Sequence, residues 1–307
     1  MARRRAWSIS RGSESRGRDA RPSPPSSRGC DRMRARAAVI QFPGVNCEFE
    51  SARVLRELGL EADIVGWNEP IDLAARYGGF LLPGGFAYQD RVRAGAIASR
   101  EPVLTALAEA AAAGAPILGI CNGAQILVEA GLVPGLREGK IEAALAPNRM
   151  PHRTGYHCAW VHVVCRGGRS FLSRAEGIVG KPFPIPIAHA EGRFVSREPA
   201  LFDQLLEEGM IPLRYVSPSG EPTALHPYCP NGSTLGAAAL SNREGNVVAM
   251  MPHPERAFYL YQVPDTLPCE WGERKAGLAA GAGSLFDPGP GRAVLAAFAD
   301  AVREGGK

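Results

Sequence analysis

Short apolar runs with the length of buried strands alternate along this chain with segments of helical periodicity. Ala37–Ile40 is followed by the helical stretch Glu50–Leu58 and then by a second apolar run, Ala62–Val65. This alternation predicts βαβ units, because two parallel strands need a crossover connection that is usually a helix. The expected fold is therefore α/β, with an open, mostly parallel sheet flanked by helices. Ligands of such a fold bind at the carboxyl ends of the strands.

One cysteine lies at the junction between a predicted strand and a predicted helix. Pro116–Ile120 is a short apolar run, Gly123–Ala130 has helical character, and Cys121 stands on the turn between them. Such a turn projects its side chain outward, and the free N–H groups at a helix start favour a thiolate. A cysteine is most often a buried structural residue, but the spacing Gly-x-Cys-x-Gly favours a nucleophile here.

A histidine and a glutamate follow another strand-like run, Asn246–Met251. His253 and Glu255 are two residues apart in an extended chain, so both side chains can point to one side. An imidazole oriented by a carboxylate is the base that a nucleophilic cysteine requires. Such a pair taken alone is more often a solvated histidine beside a surface acid. In combination with the cysteine turn, the catalytic interpretation is the better one.

A glycine-rich turn follows a third strand-like run, Gly78–Leu82. Its residues Gly84 and Gly85 carry no Cβ, so their backbone amides can point freely. One of these amides, together with the amide of Asn122, is predicted to hold a developing oxyanion. The alternative is an ordinary glycine-rich turn without a catalytic role.

Taken together, these segments resemble the class I (triad) glutamine amidotransferases, and among them the glutaminase subunits of phosphoribosylformylglycinamidine synthase. The motifs that carry the resemblance are Gly-Val-Asn-Cys at 44–47, Pro-Gly-Gly-Phe at 83–86, Gly-Ile-Cys-Asn-Gly at 119–123, Ile-Ala-His at 187–189 and Met-Met-Pro-His-Pro-Glu-Arg at 250–256. The resemblance implies a flavodoxin-like architecture. One departure concerns the segment Ala87-Tyr88-Gln89-Asp90, where the family has Ser-Tyr-Gly-Asp. A glutamine thus replaces a glycine beside the predicted oxyanion turn.

The resemblance also implies a role for each motif residue. Cys121 would attack the side-chain amide of glutamine, His253 would transfer protons, and Glu255 would orient His253. The products would be glutamate and ammonia, formed through a glutamyl thioester. The implied oxyanion and substrate-binding residues are Gly84, Gly85, Asn122 and Gln125.

Nucleotide binding by this chain is not expected. Its nearest approach to a phosphate-binding loop is 175–182, which lacks the first glycine and has Pro182 where Ser or Thr would hold magnesium. No cofactor is therefore expected in this chain, and ATP and magnesium are expected on a partner. The resemblance implies a separate synthetase subunit, with a small bridging subunit, that uses the ammonia to convert formylglycinamide ribonucleotide to formylglycinamidine ribonucleotide in purine biosynthesis. Neither a membrane nor a specific nucleic acid is an expected partner.

Two rival functions remain open at the level of sequence. The first rival is the glutaminase subunit of another ammonia-consuming synthetase. The second is a noncatalytic thiol sensor or scaffold on a similar fold, which would use Cys121 for redox chemistry. The second rival predicts normal function after His253→Ala, whereas a glutaminase requires this histidine.

Charge and composition divide the chain into three predicted regions. Residues 1–36 hold 11 of the 35 Lys and Arg and 3 of the 31 Asp and Glu, a net charge of +8, whereas the rest carries −4. Residues 1–35 are expected to be a disordered basic extension. Three interpretations of this extension stay open. It is a sequence upstream of a true start at Met33, a basic arm that contacts nucleic acid, or an organelle transit peptide. The amidotransferase domain is expected at 36–258, and 259–307 is expected to be a C-terminal extension ending in a helix at Arg292–Val302.

The seven cysteines give no disulfide framework, because their number is odd and a nucleophilic thiol must stay reduced. A reducing cytoplasm is therefore expected. The residues His157, Cys158, His162 and Cys165 have metal-binding side chains, but they lie on a predicted strand too extended for one ion, and no metal is expected. Cys47 follows a strand and is a candidate for a position near the site, but the favoured interpretation is an ordinary packed thiol. The segment Pro212–Tyr228 is expected to be an insertion.

Overall fold

The protein is described by a computed structural model that covers residues 36–69, 72–278, 281 and 283–305. The predicted basic extension at 1–35 and the proposed start at Met33 lie outside the described residues. The strands are β1 (Arg36–Gln41), β2 (Glu61–Gly66), β3 (Gly79–Leu82), β4 (Ile117–Ile120), β5 (Ala144–Ala146), β6 (His157–Cys165), β7 (Pro182–His189), β8 (Arg193–Val195), β9 (Leu213–Val216), β10 (Ala237–Ser241) and β11 (Val247–Met250). The α-helices are α1 (Glu48–Glu57), α2 (Leu73–Arg76), α3 (Val103–Ala112), α4 (Asn122–Glu129), α5 (Leu201–Glu207), α6 (Glu270–Gly277) and α7 (Arg292–Glu304).

Nine strands form one sheet in the order β2-β1-β3-β4-β11-β10-β9-β6-β7. The first five strands in this order pair in parallel, and the remaining pairings are antiparallel. The strands β5 and β8 form a separate two-stranded antiparallel sheet. The predicted α/β fold is confirmed, and its parallel half has the order expected of a flavodoxin-like sheet.

The central parallel strands β3, β4 and β11 are apolar on both faces because they are covered on both sides. Every residue of β3, β4 and β11 is buried, which is typical of parallel strands. Helix α1 packs on β1 and β2, and α4 packs on β4 and β11. The predicted strand and helix segments around each motif are confirmed, with boundaries that differ by one or two residues.

The sheet brings the predicted site motifs to one edge. In a parallel arrangement the carboxyl ends of neighbouring strands lie side by side. The strands β1, β3, β4 and β11 are consecutive neighbours, and they lead into residues 44–47, 83–86, 121–123 and 252–255. Four segments that are far apart in the sequence therefore meet at one end of the sheet.

Two further segments, β9 and α7, are parts of this framework. Leu213–Val216 is β9 and pairs with both β10 and β6. The insertion expected at Pro212–Tyr228 stays a prediction. Helix α7 buries Val294, Leu295 and Phe298 in the same hydrophobic core as the sheet. The domain boundaries at 258 and 259 stay a prediction. None of the helices in the described ranges combines the length and the apolar character needed to cross a membrane.

Candidate active site

The cysteine of the Gly-x-Cys-x-Gly motif occupies a strained turn between β4 and α4. Cys121 has φ 51° and ψ −103°, in a region that residues with a Cβ rarely adopt. Its backbone N–H donates to the carbonyl oxygen of Met250 at 2.8 Å, which ties the turn to the end of β11. A conformation of this kind costs about 1–3 kcal/mol and persists only where the surrounding structure holds it. The turn therefore fixes the direction in which the thiol projects.

The glycines on either side of Cys121 are required by close packing. A Cβ at Gly119 would lie 2.7 Å from the carbonyl oxygen of Gly123, and a Cβ at Gly123 would overlap the carbonyl oxygen of Leu82 on β3. The strand and the helix thus approach each other more closely than any residue with a side chain permits. This is the physical reason for the two glycines of the motif.

Gly123→Ala is expected to lower the free energy of unfolding by roughly 1–3 kcal/mol or more, because the added methyl group must displace β3 or α4. Gly167→Ala is the matched control, since a Cβ at Gly167 meets no atom within 4 Å. Urea unfolding followed by circular dichroism measures both changes. Equal stability of the two variants would contradict the packing described for this turn.

The predicted imidazole–carboxylate pair is formed and buried. Nδ1 of His253 lies 2.5 Å from Oε1 of Glu255, and both side chains are almost completely enclosed. Burial opposes the charge on the imidazole, yet the Glu255 carboxylate and the neighbouring Cys121 raise the pKa of His253 well above its usual range. Nε2 of His253 is buried and has no hydrogen-bond partner among the described residues. The pair is thus arranged to hold a proton beside Cys121, whose thiol donates to the carbonyl oxygen of Ala188 at 3.5 Å.

The glycine turn after β3 lies against both the cysteine and the histidine. The carbonyl oxygen of Gly84 accepts hydrogen bonds from the amides of Asn46 and Cys47, at 3.3 and 3.2 Å. The N–H of Gly85 belongs to the same peptide group and therefore points away from these donors. It donates no hydrogen bond in the part of the chain that the structure describes, and Gly85 lines the cavity beside Cys121. Gly85 rather than Gly84 is therefore placed to offer an amide at the cavity.

Gly84 has a different structural role. A Cβ at this position would lie 2.7 Å from Cε1 of His253, so only glycine lets the turn approach the imidazole. The neighbouring departure from the family pattern also has a structural consequence. Gln89 adopts φ 60°, a left-handed conformation that glycine adopts without strain. A glycine at this place in the family pattern matches that conformation.

The side chain of Asn122 connects the cysteine turn to the loop after β3. Its Oδ1 accepts from the amide of Ala87 at 2.9 Å, and its Nδ2 donates to Gln125 at 2.9 Å and to Asp90 at 3.2 Å. Gln125 in turn donates to the carbonyl oxygen of Glu191 at 2.6 Å. Gln125 lines the cavity, but its amide is engaged in these internal hydrogen bonds, and its predicted contact with the substrate stays a prediction. Its clearest contribution is to hold the wall of the cavity.

Two carboxylates that sequence reasoning missed face the same cavity. Asp90 and Glu191 line it together with Cys121 and His189. Burial and the charge of Glu191 raise the pKa of Asp90 to about 6, so Asp90 is ionised at neutral pH. His189 is buried, and this burial lowers its pKa to about 3, which keeps the ring neutral. Asp90 ends the segment that departs from the family pattern, and Glu191 follows the Ile-Ala-His motif by two residues, but their sequence positions alone give no sign of a shared cavity.

A second cysteine lies beside the imidazole–carboxylate pair. Cys47, His253 and Glu255 are the group in the described residues whose side chains have the spacing of a metal site, with ligand atoms within 4.8 Å of one another. Arg256 donates from Nη2 to Sγ of Cys47 at 3.0 Å. A guanidinium hydrogen-bonded to this sulfur places a positive charge next to the group, so the donor set does not fit a cation. The residues His157 to Cys165 form the extended strand β6 as predicted.

Comparison with known proteins agrees with this arrangement. The chain matches the family described as the CobB/CobQ-like glutamine amidotransferase domain over residues 34–280. It is 48% identical over 241 residues to the phosphoribosylformylglycinamidine synthase subunit PurQ of Methanothrix thermoacetophila, which covers 75% of this chain and 89% of that relative. It is 40% identical over 225 residues to the PurQ subunit of Pyrococcus furiosus, with 73% and 90% covered. The structure of PurLQS from Thermotoga maritima superposes with a TM-score of 0.57 at 34% identity, over 72% of this chain and 88% of that one.

Proposed function

This chain belongs to the CobB/CobQ-like glutamine amidotransferase domain family, and from that membership we propose that it is the glutaminase subunit of a phosphoribosylformylglycinamidine synthase. The observation that carries the proposal is the meeting of Cys121, on its strained turn, with the buried His253–Glu255 pair. The relatives named PurQ are subunits of that synthase, and they match this chain over about nine tenths of their length.

The first half of the reaction is the attack on glutamine. The thiol proton of Cys121 passes to Nε2 of His253, and the sulfur attacks the carbon of the side-chain amide. The amide oxygen becomes an oxyanion, which the N–H groups of Gly85 and Asn122 stabilise. His253 then returns its proton to the amide nitrogen, the C–N bond breaks, and ammonia leaves. The glutamyl group remains bound to Cys121 as a thioester.

The second half of the reaction releases glutamate. His253 takes a proton from water, the resulting oxygen nucleophile attacks the thioester, and the C–S bond breaks to restore the thiol of Cys121. Glu255 keeps the imidazole in one tautomer and compensates the positive charge that forms on it twice per cycle. The burial of both side chains strengthens this electrostatic effect.

The two carboxylates of the cavity suggest how glutamine is selected. Asp90 and Glu191 face the space next to Cys121, and a free amino acid carries an ammonium group that a peptide-bound glutamine lacks. We therefore assign Asp90 and Glu191 to the α-ammonium of the substrate. Substrates without this group leave two partly buried carboxylates without a counter-ion, which is unfavourable.

Asp90→Asn is expected to raise the KM for glutamine by about 10- to 100-fold, since a hydrogen bond to a charged group contributes about 1.5–3 kcal/mol. The kcat is expected to change much less. In the wild type, kcat/KM should also fall as the pH drops through about 6, where Asp90 takes up a proton. The variant should lack this part of the pH profile. Steady-state glutamate release between pH 5 and 8 measures both effects, and Asp203→Asn on the exposed face of α5 is the control. An unchanged KM would contradict the assignment.

The ammonia is expected to be consumed by a separate subunit. Gly180 and Lys181 lead into β7 rather than into a helix, so the strand–loop–helix arrangement of a phosphate-binding loop is not formed there. We propose a synthetase subunit that holds ATP and magnesium, together with a small bridging subunit, as partners of this chain. The solved relative is a complex named PurLQS, which supports this assembly. We also place the subunit in a reducing cytoplasm, since Cys121 acts as a free thiol.

Reconstitution with the synthetase of the same organism tests the proposed function. The mixture contains ATP, formylglycinamide ribonucleotide and either glutamine or an ammonium salt. Amidine formation from glutamine is expected to require this chain, whereas formation from ammonium is expected to proceed without it. Glutamine hydrolysis that is indifferent to this synthetase would keep the chemistry but overturn the assigned synthase. No hydrolysis under any of these conditions would favour a noncatalytic thiol protein.

A further inference from the structure

The loop after β1 brings a second buried cysteine to the catalytic pair. Cys47 is 1% exposed, and its Sγ lies within 4.8 Å of side-chain atoms of His253 and Glu255. A Cβ added at Gly84 would lie 3.1 Å from Sγ of Cys47 and 2.7 Å from Cε1 of His253. The thiol of Cys47 therefore packs at the point where the oxyanion turn and the imidazole approach each other.

The sulfur of Cys47 also anchors a cation. It accepts a hydrogen bond from Nη2 of Arg256 at 3.0 Å and donates one to Oδ1 of Asn46 at 3.2 Å. Nε of Arg256 lies 3.0 Å from Glu50 and 4.0 Å from Oε1 of Glu255. The guanidinium of Arg256 is thus held between the half-exposed carboxylate of Glu50 and the sulfur of Cys47. It lies next to Glu255, the carboxylate that orients His253.

The backbone of Cys47 contacts the glycine turn that carries the predicted oxyanion amide. The amides of Asn46 and Cys47 both donate to the carbonyl oxygen of Gly84. That peptide group carries the N–H of Gly85, so its orientation depends on this loop. A single residue therefore contacts the oxyanion turn through its backbone and the His253–Glu255 pair through its side chain.

We propose that Cys47 is a positioning residue for the glutaminase reaction, an inference that rests on the proposed function. Its sulfur fixes Arg256 beside Glu255 and keeps the His253 ring seated against Gly84. Cys47 is not among the residues that line the cavity next to Cys121. Its effect is therefore on the chemical steps and not on the binding of glutamine.

Two other roles for this thiol do not fit its surroundings. Burial raises the pKa of Cys47 to about 11, so at neutral pH it is a protonated thiol and a poor nucleophile. A metal ligand role would require a thiolate, and the guanidinium of Arg256 occupies the approach to the sulfur. The hydrogen bonds of a neutral thiol, one donated and one accepted, match the contacts that Cys47 makes.

The test compares Cys47→Val with Cys47→Ser in the reconstituted complex. Valine fills the volume but makes no hydrogen bond, and it is expected to lower kcat for glutamate release by about 10- to 100-fold, the size of effect that small misplacements produce. The KM for glutamine is expected to stay within about twofold, because the cavity walls are unchanged. Serine can donate and accept, and it is expected to restore kcat to within roughly threefold of the wild type.

Cys165→Val is the matched control, since Cys165 is equally buried and its thiol donates to the carbonyl oxygen of Leu172. Cys165 is the last residue of β6, whereas the first residue of this strand, His157, is the one that pairs with His189 beside the site. This variant is expected to change stability without a change in kcat. If Cys47→Val does not fold, Cys47→Ala, which adds no atoms, gives the same comparison. A kcat within twofold of the wild type for the folded variant overturns the proposal, as does an equal loss of kcat in the serine variant. An inactive wild type would instead refute the glutaminase function itself.

Discussion

Cys121→Ala is expected to reduce glutamine-dependent turnover by at least about 10⁴-fold, because the variant lacks the thiol that forms the thioester. Synthesis from ammonium by the complex should remain within about twofold of the wild type, since that route does not use the thiol. Alanine has the smaller side chain and fits the same turn, so the loss is not expected to come from unfolding. Coupled assays with glutamine and with ammonium measure the two rates.

The control for this variant is Cys158→Ala. Cys158 is an exposed cysteine on β6, and its removal should leave both rates unchanged. Glutamine-dependent activity that survives in Cys121→Ala would refute the role of this residue as nucleophile. Loss of the ammonium-dependent rate as well would contradict the separation of glutaminase and synthetase between two subunits.

Glu255→Gln is expected to lower kcat by roughly 10²- to 10⁴-fold with the fold intact, as replacement of a buried orienting carboxylate does in other triads. The amide is nearly isosteric, but it carries no charge and can donate to Nδ1, which favours the wrong tautomer of His253. The carboxylate is also a cause of the raised pKa of His253. Its loss should therefore lower that pKa and shift the histidine limb of the kcat/KM profile to lower pH.

Stopped-time assays of glutamate release across pH measure the rate and the shift together. Glu142→Gln is a demanding control, because Glu142 is also a buried carboxylate with an arginine partner, Arg137. It should cost stability and leave the pH profile unchanged. A Glu255→Gln enzyme with wild-type kcat would show that His253 does not depend on this carboxylate.

Much of this site could be predicted because each motif follows an apolar strand. Cys121, His253 and the turn at Gly84 were located by such runs, and parallel pairing then places the strand ends together. Local backbone requirements are also visible in the sequence, as in the two glycines around Cys121. Periodicity and turn chemistry are local properties, so the sequence expresses them directly.

Contacts between distant segments could not be predicted in the same way. Cys47 was interpreted as a packed thiol, and it is buried, but its contact with Arg256 joins positions 209 residues apart. Asp90 and Glu191 share a cavity although nothing in their spacing indicates it. The strand β9 was missed within a presumed insertion, because four residues between turns give too short a pattern. These features depend on how strands from different parts of the chain are ordered in the sheet.

In the C-terminal segment 259–307, contacts with distant residues were likewise not predictable from the sequence. Its terminal helix was predicted from its apolar spacing, whereas its link to the site was not. Gln262 donates to the backbone carbonyl of Glu255 at 3.0 Å, and the amide of Gly291 donates to the carbonyl of Ala257 at 2.8 Å. Residues beyond 258 therefore support the loop that carries the catalytic carboxylate. Their removal would be expected to disturb the His253–Glu255 pair as well as the core.

The most direct test of the account is to trap the covalent intermediate. The active complex is mixed with labelled glutamine, quenched in acid within one turnover, digested and mapped by mass spectrometry. The account predicts a glutamyl group on the peptide that contains Cys121, and none in the Cys121→Ala complex. A glutamyl group on the peptide of Cys47, or turnover of glutamine without any adduct on Cys121, would contradict it.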